Sequence, residues 1–255
     1  MYNDLFSIGG LTIHGYGLMI GLGILFCVLL GVYRAKKHDM NPDAVLDIAI
    51  FGVISGFLGA KLLYVIVEFK AFLQNPLQVL GSEGFVVYGG IITGVLSAVI
   101  YCHFKKLIFM EYFDLLCPCI ALAQGFGRIG CFLAGCCYGR PTDSCLGVIF
   151  PEGSFAPAGI KILPTQLFSS AGDFAIVVIL LLFSRRKHHT GDVGALYLLL
   201  YGVGRFIIEF MRYDERGAVG ILSTSQFISI GIVAVAAFLF LRTRVKGKKA
   251  PEDKA

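Results

Sequence analysis

Residues 11–33 read LTIHGYGLMIGLGILFCVLLGVY, and residues 34–37 follow as RAKK. The first run holds no Asp, Glu, Lys or Arg from end to end. At ~1.5 Å of rise per residue, roughly 20 such residues in a helix cross the ~30 Å hydrocarbon core of a bilayer. The abrupt basic cluster that follows marks a membrane face. Working outward, the same pattern recurs, giving expected spans from Leu11 to Tyr33, Val45 to Val67, Phe85 to His103, Tyr112 to Leu133, Gln166 to Ser184, Val193 to Met211 and Gln226 to Leu241. The expected fold is all-α, a polytopic membrane protein with seven transmembrane helices.

Composition agrees with that reading. Of 255 residues, 56% are hydrophobic and 15% charged, with mean hydropathy +0.78. Soluble domains are about a quarter charged, so an ordinary soluble or disordered chain is excluded. The net charge of +5 raises a nucleic-acid partner, but no stretch is long enough to form a soluble basic face, and none is expected. Met1 to Ile8 holds Asp4 and no Lys or Arg, unlike the start of a cleaved signal, so the first span is expected to stay in the mature protein.

Basic residues gather in alternate connections: Arg34, Lys36 and Lys37; Lys105 and Lys106; Arg185, Arg186 and Lys187; then Arg242, Arg244, Lys246, Lys248, Lys249 and Lys254. By the positive-inside rule these faces are cytoplasmic, which puts the N-terminus outside and the C-terminus inside. Fourteen of the 22 Lys and Arg are accounted for in this way. The other eight, Lys61, Lys70, Arg128, Arg140, Lys161, Arg205, Arg212 and Arg216, oppose the bias and need local reasons. The longest connection, 135–163, is rich in Gly, Pro and Cys and lies on the outer side; loops of that length carry function or are disordered. With no repeat or linker, residues 1–255 read as a single membrane domain ending in a basic cytoplasmic tail, 242–255.

The sixth span carries Tyr197, Tyr201, Arg205, Glu209 and Arg212, spaced to share one helical face. Arg205 sits six residues before Met211, ~9 Å below the expected outer end. A charge at that depth costs up to a few kcal/mol, about 3 on insertion scales, and such residues usually face an interior cavity. Glu209 offsets part of the cost by pairing with Arg205 or Arg212. A guanidinium in a cavity is a natural bidentate partner for phosphate. Arg212 alone reads equally well as a snorkelling side chain.

A second arginine, Arg128, lies among Gly125, Gly127 and Gly130 at the outer end of span four. The glycines alone indicate close helix packing; with Arg128 beside them, two arginines on the outward side could clamp one phosphodiester. Tyrosines near His14-Gly15-Tyr16-Gly17 and Val87-Tyr88-Gly89-Gly90 suit the membrane interface. Cys131, Cys136, Cys137 and Cys145 reach the outside but do not follow standard zinc spacing. They read as a disulfide pair or small packing residues rather than a metal site, with a thiol relay as a further reading; no metal or cofactor is expected.

Taken in order, these segments resemble the prolipoprotein diacylglyceryl transferase family, a group of seven-span bacterial membrane enzymes. The resemblance rests on His14 to Met19; Gly59-Ala60-Lys61 with Tyr64; Tyr88-Gly89-Gly90; Gly127-Arg128-Ile129-Gly130; Tyr138 to Thr142; Pro164 to Phe168; Tyr201, Arg205, Phe206, Glu209 and Arg212; and Ser223 to Gln226. Each segment is weak singly, but their shared order is specific. It implies transfer of diacylglyceryl from phosphatidylglycerol to the lipobox cysteine of a prolipoprotein signal peptide, at the bacterial cytoplasmic membrane. The chain departs from the family pattern at five positions: Tyr88 stands for a histidine, Lys61 for an arginine, and Cys131, Ala134 and Cys136 for Asn, Asn and Glu.

The resemblance implies that Arg128 and Arg205 are the principal arginines. On the combined reading, catalysis falls to Arg128, Arg205, Tyr88 and Tyr16, and substrate binding to Arg128, Glu209, Arg212, Tyr201, Gly89, Gly90, Gly139 and Gln166. A related transferase with another acceptor, or a non-catalytic phospholipid-binding or transport protein, are the alternative readings.

Overall fold

The computed structural model describes residues 4–8, 11–82, 84–214 and 217–248. Arg216, Lys249 and Lys254 of the basic set lie outside the described residues. The chain opens with an antiparallel hairpin, β1 (Asp4–Ile8) and β2 (Leu11–His14), in which Ile8 pairs with Leu11 and Ser7 with Thr12. Helices α1 (Gly15–Lys37) and α2 (Pro42–Val67) follow, then two short helices, α3 (Phe69–Gln74) and α4 (Pro76–Gly81), and α5 (Val87–Phe104). After α6 (Phe109–Ala134) come β3 (Val148–Ile149) and β4 (Lys161–Ile162), then α7 (Thr165–Phe183) and α8 (Asp192–Glu209). A small hairpin, β5 (Ala218–Val219) and β6 (Leu222–Ser223), leads into α9 (Thr224–Lys248).

The molecule is mostly helical and, among the described residues, six helices are long and apolar enough to cross a membrane: α1, α2, α5, α6, α7 and the Thr224–Arg242 part of α9. The sixth expected span forms α8, whose 18 residues include three charges, Asp192, Arg205 and Glu209, whereas each of the six holds an 18-residue stretch with two or fewer. Leu11 to His14, expected to begin the first span, form a strand instead. A short apolar run does not separate strand from helix, and pairing with Asp4–Ile8 decides it. Large apolar side chains such as Ile50, Phe57, Leu62, Ile92 and Val95 face outward, an arrangement suited to lipid rather than water.

Helix starts follow local chemistry. Asn41 caps α2, its Oδ1 accepting the Asp43 N–H at 2.9 Å, with Pro42 opening the helix. The start of α8 is capped from another helix: buried Asp114 on α6 accepts the N–H groups of Gly191 and Gly194 at 2.6 and 2.7 Å. A carboxylate at a helix N-terminus satisfies orphan donors and complements the dipole.

Contacts divide the chain into two compact units, residues 31–112 and residues 1–30 with 113–255. In the first, α2 packs along α5. A Cβ on Gly89 would collide with the Gly59 carbonyl oxygen, and one on Gly90 would lie 2.8 Å from that of Gly56. Thr93 Oγ1 donates to the Ser55 carbonyl at 2.7 Å, and Ser55 to Ser97 at 3.0 Å. This is the close-approach seam that small residues permit between membrane helices. In the second unit, α8 packs on α7 and α9 around a core of Cys117, Ala121, Ile176, Val177, Leu180, Val193 and Tyr197.

The long 135–163 connection is ordered. Phe150, Ala156 and Ile162 form a small buried core with Phe132 and Tyr138 against it, and β3, midway along the connection, pairs with β4 near its end.

Candidate functional site

The site is built on α6, α7 and α8. Arg128, Phe168, Ser169, Gly172, Asp173, Ile176, Tyr201, Gly204, Arg205 and Ile208 line a cavity of about 140 Å³. Two of the five arginines outside the alternate basic clusters thus face one space, flanked by apolar walls from Phe168, Ile176 and Ile208. Tyr201 enters the wall stacked on Tyr197, ring centroids 5.9 Å apart, and the Tyr197 hydroxyl donates to Gln124 Oε1 at 3.0 Å.

Arg205 is held on one side only. Its Nη2 donates to Ser225 Oγ at 2.8 Å and lies 3.1 Å from Glu209 Oε2, while Nη1 is buried with no hydrogen-bond partner among the described residues. Glu209 is fixed by Ser223, whose hydroxyl donates to Oε1 at 2.8 Å, and its Oε2 lies 3.9 Å from Arg212 Nη1. One buried carboxylate therefore links two arginines. Because α8 ends at Glu209, Arg205 is four residues from the helix end, ~6 Å in rather than ~9 Å.

Arg212 lies beyond the helix, where it bridges backbone to backbone with Gly139. Its guanidinium pairs with Asp214 through Nε and Nη2. Burial would lower the Arg212 pKa, but pairing with Asp214 and the neighbouring Cys137 and Glu209 outweigh it and raise it. Gly139 is needed for that approach: a Cβ there would lie 2.6 Å from Thr165 Cγ2, 2.7 Å from the Leu163 oxygen and 2.9 Å from the Met211 oxygen.

Arg128 has no ion pair among the described residues; Asp173 and Tyr201 are its electrostatic neighbours in the cavity, and Cys131 and Cys137 lie toward the loop. Tyr16, near the start of α1, packs with Met19 over Gly130, and its phenol faces Arg128 and Cys131, Cys136 and Cys137. Gln166 donates through Nε2 to the Cys136 carbonyl at 2.7 Å, and Thr165 through Oγ1 to that of Cys137 at 2.9 Å, so the start of α7 pins the loop behind the arginines. None of the eight cysteines forms a disulfide. Hydrogen bonding with Cys131 and then Cys136, aided by Arg212 and Arg128, holds the Cys137 thiol well below its usual range; bonding with Cys131 and Cys137, together with burial, pushes Cys136 up.

The structure thus gathers Arg128, Tyr201 and Arg205 around one cavity, sets Glu209, Arg212 and Tyr16 beside them, and uses Gly139 and Gln166 to hold the loop. Tyr88, Gly89 and Gly90 belong to the other unit: Gly89 and Gly90 form its α2–α5 seam, and Tyr88 is partly exposed at the start of α5. Lys61 there donates to the carbonyls of Ser82 and Gly84 at 2.7 and 3.3 Å and lies over the Tyr64 and Phe85 rings, a local reason for that lysine. Sequence reasoning missed Asp173. Its signal was a lone acid in an apolar span, between Gly172 and Phe174, which by default marks an interior site.

The family model described as prolipoprotein diacylglyceryl transferase matches residues 3–242. The chain is 51% identical over 238 residues to the phosphatidylglycerol–prolipoprotein diacylglyceryl transferase of Clostridium tetani, covering 92% of this chain and 95% of the relative. It is 46% identical over 250 residues to a protein named as the second such transferase of Clostridium perfringens, covering 97% and 98%, and 33% identical to that of Finegoldia magna over the same shares. The chain belongs to the prolipoprotein diacylglyceryl transferase family.

Proposed function

We propose that the chain transfers diacylglyceryl from phosphatidylglycerol to the lipobox cysteine thiol of a prolipoprotein signal peptide, forming a thioether and releasing glycerol 1-phosphate. One observation carries the reading: Arg128 and Arg205 line the same cavity, and Arg205 Nη1 is a buried donor with no partner among the described residues. A buried unsatisfied guanidinium N–H costs several kcal/mol, roughly 1–3 or more, unless a ligand meets it. A phosphodiester between the two arginines does so, and the apolar walls suit the start of the acyl chains. As the carbon–oxygen bond breaks, negative charge gathers on the departing phosphate, where preorganised guanidinium groups stabilise it more than they stabilise the intact lipid.

Glu209 fixes Arg205 and Arg212 in register, Tyr201 shapes the cavity, and Tyr16 stands beside Arg128. The role assigned to Tyr88 is tested by its replacement with phenylalanine. In this reading seven helices, α8 included, cross the bacterial cytoplasmic membrane as one domain, with the N-terminus outside and the basic tail in the cytoplasm. The alternation of basic clusters at or just past the C-terminal ends of α1, α5, α7 and α9 supports that orientation.

The test supplies purified protein with labelled phosphatidylglycerol and a lipobox peptide and follows both glycerol phosphate release and the lipidated peptide. Release with lipidation is expected. No turnover with that peptide or with a panel of thiols sinks the enzyme assignment; turnover with other thiols alone moves it to a different acceptor.

A further inference from the structure

Cys131, Cys136 and Cys137 are not among the residues that line the arginine cavity, yet the fold brings them together. Their Sγ atoms all lie within 4.8 Å of one another, and all three thiols are free and half-buried. Cys131 sits near the end of α6. The chain then turns through Gly135 at φ +79 and returns with Cys137 at φ 61, a left-handed conformation that a non-glycine residue adopts only when its surroundings impose it. Those surroundings are the two side chains from the start of α7, Thr165 and Gln166, that hold the carbonyls of Cys137 and Cys136.

Three converging sulfurs form a donor set for a thiophilic cation, since hard cations take oxygen ligands. Around a tetrahedral zinc with Zn–S of ~2.3 Å, sulfurs stand roughly 3.8 Å apart, so the cluster closes on the ion with movements of about 1 Å or less. Charge is also provided for. Three thiolates and one divalent ion leave a net negative site, and Arg128 and Arg212 both face Cys137. Three protein ligands leave a fourth position open, the pattern of zinc sites that bind a reactant rather than only brace a fold.

We propose that Cys131, Cys136 and Cys137 form a Zn(II) site whose fourth position takes an incoming thiol. The thiol part rests on the transfer proposed above. A thiol that coordinates zinc loses its proton. Beside Arg128 the sulfur would then form its bond to the glyceryl carbon as the carbon–oxygen bond to phosphate breaks. The electron pair leaves with the phosphate oxygen, the thiol proton passes to solvent, and zinc keeps its oxidation state.

The binding test uses the full chain in detergent, reduced and then freed of reductant, titrated with Zn(II) against a chromophoric chelator. One zinc per chain is expected, together with protection of the three thiols from alkylation. Cys136→Ser should weaken binding at least about tenfold, and the triple serine variant should abolish it, while Cys145→Ser, at an exposed cysteine outside the cluster, should leave it unchanged. No zinc retention, equal retention by a folded triple variant, or a disulfide among the three in protein purified without reductant overturns the site. Thiol protection in the unmodified chain keeps the test valid should a variant not fold.

The open position is read separately from activity, by the absorption of Co(II)-loaded protein. A cysteine-containing lipobox peptide should shift the spectrum, and the same peptide with serine should not. No shift with the cysteine peptide overturns the fourth-position assignment even where lipid transfer stands, and failure of lipid transfer leaves both metal readouts intact.

Discussion

Two partly buried cations, one in each unit, show what separates a structural charge in a membrane protein from one proposed to meet a ligand. Lys61 and Arg205 both interrupt apolar helices. Lys61 finds its partners within its own neighbourhood: two carbonyls at the end of the α4 loop and two aromatic faces. Arg205 is met by Ser225 and Glu209 on one nitrogen and, among the described residues, left unmet on the other, which is buried. Depth in the helix does not distinguish the two. What distinguishes them is whether the chain itself satisfies every donor, because an orphan N–H in a low-dielectric interior is costly unless a ligand completes it.

Substitution puts that difference under the greatest strain. Arg128→Ala and Arg205→Ala should each lower glycerol phosphate release by about 10²–10³-fold, the usual loss when one preorganised donor to a developing anion is removed. Thermal unfolding in detergent should change little. Lys61→Met should do the reverse, destabilising the protein by about 1–3 kcal/mol through the carbonyls it strands, with turnover per folded molecule unchanged. Full activity in Arg205→Ala would break the contrast at its root.

Much of this was legible in the sequence. Apolar runs of spanning length located the long helices, with α9 running seven residues past the expected Leu241, and the basic residues outside the alternate clusters include Arg128 and Arg205, which line one cavity. What stayed hidden has physical causes. Leu11 to His14 are as apolar as the helix after them, and only pairing with β1, a tertiary fact, makes them strand. A single Asp173 does not disturb a hydropathy window, so it passed unnoticed in the fifth span. The cysteine spacing fits no zinc pattern because convergence depends on two left-handed residues, Gly135 and Cys137, that spacing does not encode. Gly89 and Gly139 read alike as glycines beside aromatic residues, yet one closes a helix seam and the other a loop bridge.

Glu209 sharpens the comparison from the side of the partner. Glu209→Gln keeps the shape but removes the anion that pulls Arg205 and Arg212 into register. Turnover should fall on the order of tenfold, as for other groups that orient a working residue, with a loss of stability visible by thermal unfolding. A change in stability with no change in turnover would make the Glu209 network purely structural.

The two glycines separate the units again at a smaller scale. Gly89→Ala and Gly139→Ala each force a Cβ into occupied space and should cost about 1–3 kcal/mol of stability. Only Gly139→Ala should also slow turnover, because it spreads the bridge that carries Arg212. If Gly89→Ala slowed the folded enzyme without lowering its unfolding temperature, Gly89 would belong to substrate binding rather than to the seam.

The smallest expected effect tests the one-sided grip on Arg205 itself. Ser225→Ala removes the only hydroxyl that meets Arg205 Nη2 among the described residues and leaves Glu209 in place. A neutral hydrogen bond is worth about 1 kcal/mol net, so kcat/KM should fall about fivefold. The split between the constants carries the information. If Ser225 merely aims the guanidinium at a phosphate that is bound throughout, KM rises and kcat holds. If the aim matters most as the phosphate departs, kcat falls with KM unchanged, and the orphan Nη1 opposite is then the donor that strengthens during the reaction.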